Sequence, residues 1–168
     1  MRISQSMQLR FQVGRAVAFL AAARFLVRVV PLRLWRGSLG QIVAQPQHQS
    51  AESPPPEYQF GDAALAVLRE ALMLGRCVDR ASEILPGHSR CLPQAVALQW
   101  IMRMHGIASQ IIIAFHIFDR AGEHAYHAWV EHRGEMLIGH CDRSSYRPIM
   151  TLSVGKDSQL PEAAVDRT

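Results

Sequence analysis

The hydrophobic pattern changes period between Cys91 and His140, and that change most narrows what the chain can fold into. From Leu92 to about His105, Ala95, Val96, Gln99, Trp100 and Met102 to Met104 make a largely apolar segment, which predicts a central buried helix. Ser89 is a candidate N-cap, Pro93 lies in the first turn where a missing N–H costs nothing, and Gly106 ends the helix. The run Gln110 to Phe118, with Ile111-Ile112-Ile113-Ala114-Phe115 at its centre, is β-branched and continuous, as a buried strand is. After a turn at Asp119 to Glu123, the segments Ala125 to Glu131 and Glu135 to His140 flank Arg133-Gly134, which predicts a hairpin. A buried helix followed by antiparallel strands is an α+β pattern.

The chain before this stretch reads as helical. Val13 to Val30 is rich in Ala, Leu and Arg, and Pro31 should stop or kink it. Its longest uncharged run, Ala16 to Ala23, falls short of the roughly 20 residues that cross a bilayer. Basic residues before an apolar stretch ending Ala21-Ala22-Ala23 would also suit a secretory leader. Arg24 and Arg28, four apart on one side, favour a helix packed on the domain, with membrane-surface contact as the rival use of its basic and apolar residues. Leu32 to Val43 is expected to continue as a short helix broken near Gly37 and Gly40. Asp62 is a plausible N-cap for a helix to about Cys77, and Pro86-Gly87 breaks the chain before the central stretch. The expected organisation is therefore a basic, apolar helical segment at 1–46, a Pro-rich linker at 47–60 around Pro54-Pro55-Pro56, a catalytic core at 61–150, and a polar, partly flexible tail at 151–168.

Charge is unevenly placed. Residues 1–50 hold seven Arg and no Asp or Glu, so the remaining 11 basic and 14 acidic residues leave the rest of the chain at −3. Three cysteines without paired spacing, Cys77, Cys91 and Cys141, argue against a disulfide framework and suit a reducing, cytoplasmic setting. The common zinc and redox spacings are absent, and a site built from Cys91, Cys141, His127 and His140 ranks well below thiol chemistry.

That chemistry begins with Cys91. It opens a helix, where backbone N–H groups and the helix dipole favour a thiolate, and Arg90 adds positive charge beside it. A free cysteine is more often buried and inert, and His127 could be an ordinary strand histidine. Together, however, a thiol and a nearby imidazole form the nucleophile–base pair of thiol acyl transfer. A third group should fix the imidazole tautomer. A two-residue turn at Arg133-Gly134 would set His127 opposite His140 and bring Asp142 within diagonal reach, so Asp142 is the first candidate and His140 the second. Glu131 is expected to face solvent or cap a partner. The Cys91 backbone N–H would supply one oxyanion-hole donor.

Cys91-Leu92-Pro93-Gln94-Ala95-Val96-Ala97-Leu98, Arg103-Met104-His105-Gly106-Ile107 and His127-Ala128-Trp129-Val130-Glu131 resemble the transglutaminase-like leader peptidases of lasso-peptide biosynthesis, in their stand-alone B2 form. The similarity covers about residues 85 to 150 and extends, more weakly, over the N-terminal helix and Val30-Pro31-Leu32-Arg33. The resemblance implies a papain-like fold with Cys91 as nucleophile and His127 as base, and no metal or organic cofactor. It implies removal of the leader from a ribosomal precursor peptide, with a separate B1-type recognition protein and an ATP-dependent lasso cyclase (C protein) as partners, and no nucleic acid. The family places its Asp twelve residues after the His, and here that position is Gly139. An acyl transferase using the same thioester, and a non-catalytic scaffold with a degenerate triad, are the alternative readings.

Overall fold

A computed structural model describes residues 5–43, 61–86, 91–118 and 125–155. Helix α1 (Gln5–Val29) leads through the short α2 (Leu32–Trp35) and a 3-10 turn (Arg36–Leu39) into strand β1 (Gln41–Val43). Helices α3 (Asp62–Ile84) and α4 (Cys91–Met104) follow, then β2 (Ser109–His116), β3 (Tyr126–His132), β4 (Glu135–Ile138), a 3-10 turn (Arg143–Ser145) and β5 (Tyr146–Val154). The strands form one antiparallel sheet in the order β1-β5-β2-β3-β4. The expected α+β architecture, a cysteine-bearing helix packed on an antiparallel sheet, is what the chain adopts.

The core lies between the helices and one face of the sheet. From α4 it takes Ala95, Val96, Ala97, Leu98, Ile101 and Met102; from the sheet, Ile111, Ala128, Val130, Ile138 and Leu152. The N-terminal basic segment contributes to the same core through Ala16, Leu20 and Ala23, spaced four and three apart on α1 and fully buried. Arg24 at the edge of that stripe donates to the Pro86 carbonyl at 2.8 Å. The other face of the sheet carries a smaller cluster, Ile112, Ala114, Trp129 and Met136, packed against Cys141 and Tyr146.

Several boundaries differ from the expected ones. Helix α3 continues to Ile84 because Val78 and Ala81 prolong its buried stripe, and it stops where Leu85, preceding Pro86, is forced extended (φ −78°, ψ 128°). Asp62 is its first helical residue rather than its cap, which falls at Gly61. The stretch expected to end as helix near Gly40 instead supplies the edge strand β1, paired with β5 from Gln41↔Ser153 to Val43↔Thr151. Thr151 to Val154, expected as the start of the tail, complete β5 inside the sheet. Ser89, Arg90, the Pro-rich linker at 47–60, the Asp119 to Glu123 turn and the tail from 156 onward lie outside the described residues.

Gln99 is the one large polar side chain sealed into α4's buried face. Its Nε2 donates to the carbonyls of Leu39 (2.9 Å) and Leu152 (3.3 Å), and its Oε1 accepts from Ser109 Oγ (2.9 Å). These bonds join the 3-10 turn, β5 and β2 to one helix position. Gln99→Leu keeps the volume but strands buried acceptors and a hydroxyl, each worth about 1–3 kcal/mol when left unpaired. A loss of about 2–4 kcal/mol in denaturant unfolding is expected.

Candidate active site

Two elements build the site: the N-terminus of α4 and the start of β3. The α4 helix begins at Cys91, so its first N–H groups have no partner within the helix. Strand β3 is fixed beside β2 by an unbroken ladder from Gln110↔Glu131 to Phe115↔Tyr126, which sets His127 opposite Ala114. The result sets the Cys91 thiol beside the His127 ring, close enough for each to shift the other's titration.

The ring's other contact settles which form it takes. His127 Nε2 lies 2.8 Å from the Gly139 carbonyl oxygen. A carbonyl only accepts, so Nε2 carries the proton, and Nδ1 is left with a lone pair for the thiol. Electrostatics run the same way. Burial pushes the Cys91 thiol up, but the hydrogen bond and charge of His127, with backbone groups of Ala128 and Leu92, outweigh it and hold the thiol below its ordinary value. His127 is raised in turn, chiefly by its hydrogen bond to Cys91 and further by Gly139, against burial. Cys77 and Cys141 go the opposite way, both pushed up first by burial. Of the three cysteines, only Cys91 is poised as a nucleophile.

The expected acid does not reach the imidazole. The hairpin forms as anticipated, with Arg133 (φ 51°) and Gly134 (φ 80°) in the turn and His132 opposite Glu135. A bulge then intervenes: Glu131 pairs with Met136 but Val130 pairs with Ile138, so Leu137 is the extra residue. The ladder slips by one and ends at Ile138, so His127 is not set opposite His140. Asp142 turns away and caps the 3-10 turn, accepting from Ser144 N (3.1 Å), Ser144 Oγ (2.7 Å) and Ser145 Oγ (3.0 Å). The Ser144 and Ser145 bonds hold its exposed carboxyl below the usual range. His140 is exposed. His140 and Asp142 instead help line a cavity of about 410 Å³ between the β3–β4 turn and the loop ending at Arg143.

At Gly139 the chain is left-handed (φ +75°), and a Cβ there would stand 2.5 Å from the Ala128 carbonyl oxygen and 3.0 Å from Trp129 Cβ. An aspartate there would be strained, and its Cβ could enter only by displacing the Ala128 carbonyl. The Gly139 carbonyl occupies the bonding position on Nε2 that such a carboxylate would take.

Other groups escaped the sequence reading. The His127 ring stacks near Trp129 (centroids 6.2 Å apart, 29°) and tilts against Tyr146 (5.2 Å). Glu131, expected to face solvent or cap a partner, is tied down. Its Oε1 accepts from the Trp129 indole (2.6 Å) and from Arg143 Nε (2.8 Å), while Arg143 also donates to the Gly134 carbonyl (2.7 Å). Trp129-Val130-Glu131 in the sequence places indole and carboxylate two residues apart on one face of a strand, and that spacing could have revealed the pair. Tyr146 carried no such signal, because its approach to His127 depends on β5 crossing the sheet beside β2. Among the described residues, no three His, Cys, Asp or Glu side chains gather as metal ligands would.

A family model described as transglutaminase-like superfamily matches residues 19–151. The chain belongs to that superfamily. No curated protein and no solved structure matches it. The matched range takes in both the α4 cysteine and the β3 histidine, and residue 19 falls inside α1. The family match therefore includes the C-terminal part of the N-terminal helix together with the sheet through Thr151. Transglutaminase-like proteins include cysteine peptidases and acyltransferases, and both begin with the same thiolate.

Proposed function

We propose that this transglutaminase-like protein is a cysteine peptidase that removes the leader from a ribosomally made lasso precursor peptide. The observation that carries the peptidase reading is the Cys91–His127 pairing, in which each group shifts the other's titration, with the ring proton committed to the Gly139 carbonyl. Nδ1 accepts the thiol proton, and the sulfur attacks the scissile carbonyl at the leader–core junction. The oxyanion forms beside the α4 N-terminus, where the Cys91 backbone N–H is a donor. On collapse, the C–N bond breaks and the leaving amine, the new N-terminus of the core, takes the proton from His127. His127 then deprotonates a water that opens the thioester, releasing the leader as a free acid and restoring the thiol. The step needs no metal or organic group.

The narrowing to a lasso leader rests on the likeness of Cys91–Leu98, Arg103–Ile107 and His127–Glu131 to the B2 leader peptidases. In that setting a separate recognition protein presents the leader, and an ATP-dependent cyclase takes the core, in the cytoplasm. The rival use of the same thioester is transfer to an amine. Mass analysis of a candidate precursor incubated with the full chain and a recognition protein separates them. Two fragments summing to precursor plus one water support hydrolysis; a new amide joining leader to an amine overturns it in favour of transfer.

A further inference from the structure

We infer that the outward face of α1 is a docking surface for an anionic lipid bilayer, on which the protein lies without crossing it. Ala16, Leu20 and Ala23 spend one stripe of the helix on the core. The opposite stripe carries Met7, Phe11, Ala18, Ala22, Phe25 and Val29, at spacings of four, seven, four, three and four, and all six are exposed. Phe11 and Phe25 are 66% and 62% exposed, so two phenyl rings about 21 Å apart along the axis stand in water rather than in the core. A soluble monomer rarely leaves such a continuous apolar line uncovered.

Charge selects the occupant. Arg10 and Arg28 flank the stripe, and Arg33 and Arg36 follow it, all exposed. Among the described residues no carboxylate pairs with any of these four. With seven Arg and no acid in residues 1–50, two copies meeting through this face would set cation against cation, which disfavours self-association. The surface is one convex helix, about 37 Å long, with phenyls projecting and guanidinium groups at its rim. An interfacial helix has that arrangement: apolar side chains enter the headgroup–acyl boundary while arginines reach anionic headgroups. Each such arginine strengthens binding to an anionic surface about fivefold. No described helix is long and apolar enough to cross a membrane, so contact is along the surface. This inference stands on α1 alone and does not depend on the peptidase reading.

Sedimentation of the full chain with vesicles tests it. Vesicles of phosphatidylcholine mixed equally with phosphatidylglycerol should bind at least about tenfold better than phosphatidylcholine alone, and less as salt rises. Phe11→Ser with Phe25→Ser, and separately Arg10→Glu with Arg28→Glu, should each remove most of that binding. Thermal unfolding should be unchanged, because these side chains are exposed. Equal or no binding to the two vesicle types overturns the inference, as does full binding by both double variants. A dimer that the Phe pair abolishes, or capture by polyglutamate that ignores the Phe substitutions, overturns it in favour of self-association or of a purely acidic partner.

Discussion

Cys91→Ala is expected to remove precursor cleavage altogether while leaving the thermal unfolding transition within about 1 kcal/mol of the parent protein, since a partly exposed thiol is exchanged for a methyl group. The loss follows from chemistry: without the sulfur no thioester forms, and nothing else at the α4 N-terminus can carry an acyl group. The same thiol should be distinguishable in the intact protein before any substrate is known. Cys91 is held below its ordinary value, so its thiolate persists to lower pH than that of a free cysteine. Burial raises Cys77 and Cys141, so their thiolates appear only at higher pH. Iodoacetamide near neutral pH should therefore alkylate Cys91 first, and peptide mapping reads the order directly. His127→Ala removes the leading downward influence and should shift the Cys91 alkylation profile upward in pH. Labelling that ignores His127, or that favours Cys141, would contradict the assigned pair. Normal cleavage by Cys91→Ala would end the thiol mechanism outright.

What the sequence made legible were features whose signals are local. The apolar run of α4, its cysteine at the first position, the β-branched core of β2 and the Arg133-Gly134 turn each follow from a few neighbouring residues, and each formed as expected. Features that failed to show are those decided across the sheet. The β1 and β5 strands look weak in isolation, at three residues and at a segment containing Pro148, and gain their pairing only from each other and from β2. In β5 the proline sits where the ladder to β2 shifts register, between Ile113 and Ala114, so its missing N–H falls at an irregularity rather than within regular pairing. The third partner of His127 is hidden in the sequence for the same reason. An ideal two-residue hairpin places His127 opposite His140, and one extra residue at Leu137 is enough to replace a side-chain acid by a backbone carbonyl. Gly139 is visible in the sequence as a departure from the aspartate that the resemblance to B2 leader peptidases implies. Its left-handed backbone and the pressure of Ala128 on the missing Cβ are not.

That glycine carries the second large expectation. Gly139→Ala should lower stability by more than about 2 kcal/mol, because a left-handed conformation costs a non-glycine residue on the order of 1–2 kcal/mol and the new Cβ must also displace backbone. The atom it would press is the Ala128 carbonyl oxygen, 2.5 Å away, on the strand residue between His127 and Trp129. Relief therefore comes from moving either β3 or the loop, and both alter the 2.8 Å bond from Nε2 to the Gly139 carbonyl. A displacement of about 1 Å at a catalytic base can cost on the order of 100-fold in rate, so kcat should fall by that order while the leader-binding part of KM changes little. Gly139→Asp makes the sharper comparison. It supplies the residue type that the resemblance to B2 leader peptidases implies at this spacing, yet its Cβ meets the same oxygen, so it should be no more active than Gly139→Ala and no more stable. Were Gly139→Asp to match or exceed the parent protein in kcat, a carboxylate could take up the position on Nε2 after all. The backbone carbonyl would then be a substitute of convenience rather than the group that sets the His127 tautomer.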